Sequence, residues 1–131
     1  MPTLIALDHL VLTVADIPQT IAFYETILGL QSEAFQVADG STRWALKFGR
    51  SKINLHPLGQ EFDPKAARPT AGSADLCFLT STPTDTWEKH LHLHGIHIED
   101  GPVARTGAQN SLLSLYIRDP DQNLIEIAVE T

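Results

Sequence analysis

Cysteine, basic residues and long apolar runs are scarce in this chain. Its 131 residues include one cysteine, Cys77, so no disulfide can form within the chain, as is typical of a reducing compartment. Nine Lys and Arg residues stand against 16 Asp and Glu residues, which leaves a formal net charge of -7. Nucleic acids and anionic membrane surfaces bind basic patches, so we expect neither as a partner.

No apolar run approaches the roughly 20 residues that a membrane-spanning helix needs. The N-terminal segment also lacks the basic stretch and apolar core of a secretion signal, so we expect a cytoplasmic protein. With 43% hydrophobic residues in 131, the chain is long enough for one domain with a sizeable core.

The same order of strand and helix signals occurs twice. Each half begins with an apolar strand, continues with a helix that opens near a proline and ends at a glycine, and finishes with three strands. The predicted strands span about 5–14, 32–38, 42–49, 51–56, 74–81, 97–104, 111–118 and 123–130, and the predicted helices about 17–28 and 84–94. The pattern predicts a single α+β domain over 1–131, with one βαβββ module at about 1–57, a linker loop at 58–73 and a second module at about 74–131.

Single polar residues interrupt apolar strands in both halves. Glu126 lies between Ile125 and Ile127, and His9 lies in the apolar run of the first strand. Burying a lone carboxylate costs several kcal/mol unless it is paired, hydrogen-bonded or bound to a metal. The alternative is a half-exposed strand, in which alternation places Glu126 in solvent. Both interpretations are compatible with the strand pattern.

The repeat relates these polar positions to one another. When the two halves are aligned strand by strand, His9 corresponds to Asp75 and Asn54 corresponds to Glu126. A pseudo-twofold axis between two such modules would bring the four positions to one cleft. His56 follows Asn54 by two residues and shares its face of the strand. The alignment therefore predicts one site, in a cleft between the modules.

Several motifs together resemble the vicinal oxygen chelate superfamily, which includes glyoxalase I, extradiol dioxygenases, and fosfomycin and bleomycin resistance proteins. They are Asp8-His9-Leu10-Val11-Leu12, Phe23-Tyr24, and the closing Asp119-Pro120-Asp121-x-Asn123-Leu124-Ile125-Glu126. Ile53-Asn54-Leu55-His56 and the segment 101–108 resemble glyoxalase domain-containing protein 5 and its bacterial relatives. The resemblance implies two sheets that curl around a central cleft, with metal ligands from the first and fourth strand of each module.

Carried over to this chain, the resemblance implies a divalent metal ion bound by His9, Asp75 and Glu126. Asp75 stands where many members have His. Asn54 stands where metal-rich glyoxalases have Glu, so His56 is the candidate that would replace it as a ligand. One imidazole with two carboxylates is a hard donor set, which favours Mn²⁺, Mg²⁺ or Fe²⁺ and still permits Zn²⁺ or Ni²⁺.

Asn54, Tyr116 and Arg105 are also candidates for contacts with a substrate. Tyr116 precedes Glu126 by ten residues, and fosfomycin resistance enzymes have a substrate-contacting tyrosine at the similar place. Arg105, predicted to lie in a loop, could clamp an anionic group through two parallel hydrogen bonds. The alternatives are an aromatic residue at the edge of the core for Tyr116 and a solvated side chain for Arg105. Cys77 is expected to be a small buried thiol.

The predicted function is that of a metal-dependent, glyoxalase-like lyase or isomerase for a small oxygenated carbonyl substrate, with Glu126 as ligand and base. One alternative is a non-catalytic or antibiotic-resistance-type protein that binds a small molecule in the cleft. Another is an extradiol-type dioxygenase, which Asp75 disfavours because such sites use two histidines and one carboxylate. The resemblance also implies a homodimer.

Overall fold

The computed structural model describes residues 1–131, which form two compact units, residues 1–71 and 72–131. Each unit contains one strand, one helix and three further strands, in that order. The chain is therefore α+β with two βαβββ modules, as the sequence predicts. Neither helix has the length and apolar character needed to cross a bilayer.

The first unit consists of one mixed sheet and one helix. Its elements are β1 (His9–Val14), α1 (Ile17–Thr26), β2 (Gln31–Gln36), β3 (Thr42–Phe48) and β4 (Ser51–Pro57). The strand order is β1-β4-β3-β2, with β1 parallel to β4 and the other neighbours antiparallel. Ile53 and Leu55 of β4 are buried. Because side chains alternate along a strand, Asn54 and His56 lie on the opposite face.

The second unit repeats this topology. Its elements are β5 (Asp75–Leu79), α2 (Thr84–Leu93), β6 (Asp100–Thr106), β7 (Ser111–Arg118) and β8 (Leu124–Glu130). The strand order is β5-β8-β7-β6, again with one parallel pair, β5 with β8. Ile125 and Ile127 of β8 and Leu91 of α2 are buried in the core. Because side chains alternate along a strand, the Glu126 side chain points to the opposite face of the sheet from those of Ile125 and Ile127.

Helix α1 forms where its local sequence signals predict. The Asp16 carboxylate accepts a hydrogen bond from the Gln19 N–H at 2.8 Å, which caps the helix, and Pro18 lies in the first turn. Tyr24 faces the core and is fully buried. After the helix, Gly29 takes a φ of 74°, a conformation that glycine adopts without strain.

The strand register supports the equivalence of the two halves. In the parallel pair β1–β4, Asn54 lies opposite the residue that is two positions after His9. In the parallel pair β5–β8, Glu126 lies opposite the residue that is two positions after Asp75. The four polar positions thus occupy matching places in the two sheets, as the repeat alignment predicts.

The turn before β8 is held by a buried pair of side chains. Asp119 accepts hydrogen bonds from the Asn123 N–H at 3.0 Å and the Asn123 amide at 2.8 Å. The side-chain oxygen Oδ1 of Asn123 in turn accepts from the Ala74 N–H at 2.9 Å, which ties the start of β5 to the start of β8. Gly72 is required beside this turn, because a Cβ there would lie 2.4 Å from the Asp121 carbonyl oxygen. The Asp-Pro-Asp-x-Asn motif therefore sets the register that brings Glu126 opposite β5.

The predicted start of the first strand is wrong. β1 begins at His9 rather than near residue 5, because His9 pairs with Lys52, close to the beginning of β4. No strand pairs with the residues before His9, and Leu4 and Ile5 are almost fully exposed.

The predicted bounds of the sixth strand are also wrong. β6 spans residues 100–106 rather than 97–104, and it is the edge strand of its sheet. Its pairing with β7 shifts between Asp100 and Val103, on either side of Pro102. Proline has no N–H for the ladder, and an edge strand tolerates that loss.

Candidate active site

Glu126 is the centre of the candidate site in the second unit. Its side chain is half-buried in the middle of β8. The Ser114 hydroxyl, on the adjacent strand β7, donates a hydrogen bond to Glu126 Oε2 at 2.6 Å. Ser114 is fully buried, with 0% of its surface exposed. Glu126 is thus a hydrogen-bonded carboxylate, neither unpaired in the core nor free in solvent.

Cys77 borders the Glu126 carboxylate from the other neighbouring strand, because the two residues lie opposite each other in the β5–β8 pair. The prediction of a buried thiol is wrong, since Cys77 is exposed. Partial desolvation raises the pKa of its thiol to about 11, and the carboxylates of Glu126 and Asp75 contribute to the rise. The thiol is therefore a protonated hydrogen-bond donor at neutral pH rather than a nucleophile.

Tyr116 and Arg105 extend the site along the sheet. Tyr116 lies opposite Glu126 in the β7–β8 pair, and its hydroxyl accepts a hydrogen bond from Arg105 Nε at 2.9 Å. Burial raises the pKa of the Tyr116 hydroxyl and the charge of Glu126 adds to the rise, while the hydrogen bond from Arg105 opposes it. Arg105 lies in β6 rather than in the predicted loop, and its Nη2 atom is 3.5 Å from Asp100 Oδ2. The structure thus brings Tyr116, Arg105 and Glu126 into one connected group.

A pocket with a volume of about 390 Å³ lies beside Glu126 within the second unit. Its wall includes Cys77, Leu79, Arg105, Leu112 and Glu126, together with Glu130 and the turn at residues 106–110. The size suits a small organic molecule, and the exposed surface of the wall is mostly apolar with polar and charged side chains set into it, as is typical of ligand pockets.

Asp75 lies at the exposed start of β5, opposite Leu124 and two residues before Cys77. Because side chains alternate along a strand, Asp75 and Cys77 share one face. In the second unit, therefore, the predicted ligands Asp75 and Glu126 flank the same cysteine.

The other predicted ligands, His9, Asn54 and His56, belong to the first unit. His9 is exposed, and its Nδ1 atom lies 2.8 Å from Asp8 Oδ2. A carboxylate accepts hydrogen bonds, so in the neutral ring Nδ1 carries the proton and Nε2 has the lone pair. Metal-binding histidines typically have this arrangement, in which a carboxylate holds the nitrogen that does not bind the metal.

Asn54 has an acceptor without a partner. Its Oδ1 atom is buried and makes no hydrogen bond. Leaving a buried acceptor unpaired costs about 1–3 kcal/mol, so such an atom is a candidate for contact with a ligand or cation.

The His56 ring is held in a different tautomer from that of His9. Its Nδ1 atom accepts a hydrogen bond from the Phe62 N–H at 3.4 Å, so the ring proton of the neutral form lies on Nε2. Burial lowers the pKa of His56, and the positive charge of Arg43 lowers it further against the opposing charge of Glu61. This tautomer makes His56 a hydrogen-bond donor, and metal binding through Nε2 would require the proton to move.

The fit of a divalent metal ion can be judged on these donor atoms. Neither unit by itself gathers three or more His, Cys, Asp or Glu side chains into a group that could hold a metal ion. The Nε2 lone pair of His9 and the unpaired Oδ1 of Asn54 nevertheless have the chemistry that a cation requires, and Glu126 and Asp75 are the carboxylates of the set. The residues are thus compatible in chemistry with a hard divalent ion.

Comparison with known proteins identifies the family. Residues 6–127 match the family described as Glyoxalase/Bleomycin resistance protein/Dioxygenase superfamily. The chain belongs to this superfamily. The resemblance to the vicinal oxygen chelate proteins is confirmed, whereas a particular closeness to glyoxalase domain-containing protein 5 stays a prediction.

Close relatives cover most of the chain. The virulence protein STM3117 of Salmonella typhimurium is 56% identical over 93% of this chain and 82% of its own length, and its crystal structure has a TM-score of 0.91, with 52% identity over 99% of this chain and 100% of that one. The glyoxalase domain-containing protein RDO1 of Mycosarcoma maydis is 51% identical over 94% of this chain and 67% of its own length. A structure from the mobile metagenome of V. pseudocholerae has a TM-score of 0.94 at 50% identity and covers 100% of this chain and 98% of its own.

Two structures of lower sequence identity share the fold. Lactoylglutathione lyase from Agrobacterium tumefaciens has a TM-score of 0.68 at 23% identity, over 95% of this chain and 92% of its own. A mutant of the fosfomycin resistance protein FosX from Listeria monocytogenes, complexed with Mn(II) and 1S,2S-dihydroxypropylphosphonic acid, has a TM-score of 0.66 at 20% identity, over 98% of this chain and 93% of its own.

Ser114 is the site residue that sequence reasoning missed. It lies in the run Leu112-Leu113-Ser114-Leu115-Tyr116, where the alternation with Tyr116 places both on one face. The sequence signal was therefore the two-residue spacing from Tyr116. This spacing puts Ser114 on the same face as Tyr116, in a strand next to the one that carries Glu126.

Proposed function

We propose that this chain is a metal-dependent lyase or isomerase for a small oxygenated carbonyl compound, with Glu126 as the general base. The observation that carries the proposal is a carboxylate on the wall of a pocket, held at Oε2 by a buried hydroxyl at 2.6 Å. A base must be positioned before it can accept a proton efficiently from carbon, and Ser114 supplies that positioning.

In the proposed reaction, the Glu126 carboxylate accepts a proton from the carbon next to the substrate carbonyl. The electron pair of the broken C–H bond forms a carbon–carbon double bond, and the carbonyl electrons move to oxygen. Return of the proton to the former carbonyl carbon, while the neighbouring hydroxyl gives its proton to the alkoxide oxygen and becomes the new carbonyl, completes an isomerisation. Departure of a leaving group with its bonding electron pair, as the original carbonyl re-forms, completes an elimination. A bound divalent cation would supply positive charge near the developing oxyanion. Its proposed ligands are those predicted from the sequence, His9, Asp75 and Glu126, with Asn54 or His56 beside them.

Tyr116 is proposed to bind the substrate. Arg105 Nε donates to the Tyr116 oxygen, and the phenolic proton of Tyr116 is directed at the Glu126 carboxylate. The raised pKa keeps this proton in place at neutral pH. A carbonyl or hydroxyl oxygen of a substrate beside Glu126 is expected to replace the carboxylate as the acceptor of this proton.

The superfamily relatives support the class of reaction. One distant relative is a lactoylglutathione lyase, and FosX was crystallised with Mn(II) and a compound that carries two neighbouring hydroxyl groups. Another, TnmS3 from Streptomyces, is an antibiotic binding protein, which is the alternative function to test.

Proton exchange is a direct test that does not require the natural substrate. Hydroxyacetone is incubated with the protein and Mg²⁺ in D₂O. Loss of the signal of its CH₂OH protons, which lie next to the carbonyl, is followed by NMR. We expect exchange above background, and we expect Glu126→Gln to slow it by about 100-fold or more because general bases contribute about that much. Glu88→Gln, on α2 and outside the site, is the matched control.

Three outcomes count against the proposal in different ways. Exchange at the parental rate in Glu126→Gln would remove Glu126 from the role of base. Absence of exchange in the parent with Mg²⁺, Mn²⁺, Ni²⁺ and Zn²⁺ in turn would overturn the lyase or isomerase function. If that parent still binds hydroxyacetone or a larger hydroxyketone, the protein is a small-molecule binder.

We also propose that the chain forms a homodimer. Leu4, Ile5 and Leu7 are between 74% and 99% exposed, and contiguous exposed apolar side chains are typical of interaction surfaces. Light scattering coupled to gel filtration would show a mass of two chains, and a mass of one chain would contradict the proposal.

A further inference from the structure

The pocket beside Glu126 extends along β8. Glu126 and Glu130 both line it, and they are four residues apart on one face of the strand. At about 3.3 Å per residue, the pocket therefore runs along roughly 13 Å of strand beyond the proposed base. A substrate whose reacting carbon lies at Glu126 has room there for a further group, its tail.

Most of the exposed surface around this tail region is apolar, although Thr106, Gln109 and Asn110 also belong to its wall. Leu112 forms part of one side, and Leu79, which is 62% exposed, lies at the rim. Gly107 and Ala108 belong to the turn between β6 and β7, and a side chain at Gly107 would collide with the Asn110 carbonyl oxygen at 2.7 Å. The tight turn therefore forms one wall of the pocket. An apolar ligand bound there would shield Leu79 from water.

The charges along the tail region are unfavourable for an anion. Arg105 is the one cationic residue in the wall, and its guanidinium already contacts Asp100 at 3.5 Å and donates to Tyr116 and to the Ala104 carbonyl oxygen. Glu130, at the far end, accepts a hydrogen bond from the Asn110 amide, a neutral donor that does not offset the charge of a carboxylate. A carboxylate or phosphate on the tail would meet Glu130 with no unpaired cation beside it.

We infer that the substrate's tail is an apolar group, such as an aryl or short alkyl chain, and that it carries no negative charge. This inference rests on the proposed function, since the position of the reacting end at Glu126 is taken from it. It disfavours tails that carry carboxylates, such as the peptide of a glutathione conjugate, because each added anion would lie beside the like charge of Glu130.

Two matched probes test the inference. 2-Hydroxyacetophenone has a neutral phenyl tail, and 4-(hydroxyacetyl)benzoate has the same reacting end and ring with a carboxylate on the tail. Binding of each to the ¹⁵N-labelled full chain is measured by NMR titration with Mg²⁺ present. We expect the neutral probe to bind about tenfold or more tightly, with shifts at the amides of residues 107–112. We expect the difference in affinity between the two probes to decrease at high salt, because salt screens partly exposed charges.

Two variants identify the cause of the discrimination. Glu130→Gln should reduce the difference in affinity between the carboxylate probe and the neutral probe several-fold, because it removes the repelling charge. Leu79→Ser should weaken both probes by a similar factor, because it removes an apolar contact at an exposed position that the fold does not need. Equal binding of the two probes to the parent, or an unchanged gap in Glu130→Gln, would overturn the inference.

Failure of the inference is distinguishable from failure of the proposed function. If hydroxyacetone exchange occurs but the carboxylate probe binds as well as the neutral one, the tail inference falls and the proposed function stands. If the neutral probe binds at residues 107–112 and no exchange occurs with any metal, the catalytic proposal falls and the pocket's preference stands.

Discussion

The Ser114 hydroxyl on β7 donates a hydrogen bond across the sheet to Glu126 on β8, at 2.6 Å. The donor is fully buried and the acceptor is half-buried on the wall of a pocket. Cys77 stands beside the same carboxylate on the opposite neighbouring strand. Glu126 is thus flanked from both adjacent strands, which distinguishes it from a surface carboxylate on a half-exposed strand.

Removal of the Ser114 hydroxyl should weaken this arrangement. We expect Ser114→Ala to lower the free energy of unfolding by about 1–3 kcal/mol, as is typical when a hydrogen bond to a charged group is lost. A double-mutant cycle with Glu126→Gln, measured by urea unfolding, should show a coupling of about 1 kcal/mol. Additive effects of the two substitutions would mean that the hydrogen bond does not contribute to stability. Ser111→Ala, at the exposed start of the same strand, is the control.

Glu126→Gln should lower the affinity for divalent metal ions by about tenfold or more, because a charged oxygen ligand becomes a neutral one. Isothermal titration with Mn²⁺ on metal-free protein measures the change, and Glu88→Gln serves for comparison. A dissociation constant equal to that of the parent would exclude Glu126 as a metal ligand.

Asp75→His should shift metal preference toward Zn²⁺ and Ni²⁺, because imidazole is a softer ligand than carboxylate. Asp75 is exposed at the start of β5, so the larger ring can be accommodated without loss of the fold. Competition between Mn²⁺ and Zn²⁺ in parent and variant decides the matter. A folded variant with an unchanged ratio would show that Asp75 does not bind the metal.

Alkylation of Cys77 reports on its carboxylate neighbours. With a pKa of about 11, the thiol should react with iodoacetamide slowly at neutral pH and faster as the pH approaches that value, because the thiolate is the nucleophile. Glu126→Gln removes a negative charge that raises this pKa, so the midpoint of the rate profile should move to lower pH. Ellman titration of the remaining thiol measures both profiles, and identical midpoints would contradict the contact between the two residues.

Asn54→Leu should separate stability from binding. The substitution removes a buried oxygen that has no hydrogen-bond partner, so we expect the metal-free protein to gain about 1–3 kcal/mol of unfolding free energy. The same change should weaken metal binding if the oxygen contacts the cation or its ligands. Thermal unfolding with and without Mn²⁺ measures both effects, and a less stable metal-free variant would contradict the first of them.

Sequence alone determined the features that depend on local signals. The cap at Asp16, the proline in the first turn and the glycine after the helix predict α1, and the repeated order of elements predicts two βαβββ modules. The equivalence of His9 with Asp75 and of Asn54 with Glu126 also followed, since each position is defined by its own strand and the observed registers agree.

Tertiary structure alone decided which side chains meet. Strand pairing joins residues far apart in sequence, so the contact of Ser114 with Glu126 and the exposure of Cys77 depend on the neighbouring strands. The start of β1 was mispredicted for the same reason. A strand begins where its pairing with the neighbouring strand begins, and the pairing with β4 begins at His9 although apolar residues precede it. Alternation within a strand assigns a residue to a face, but only the assembled sheet shows what shares that face.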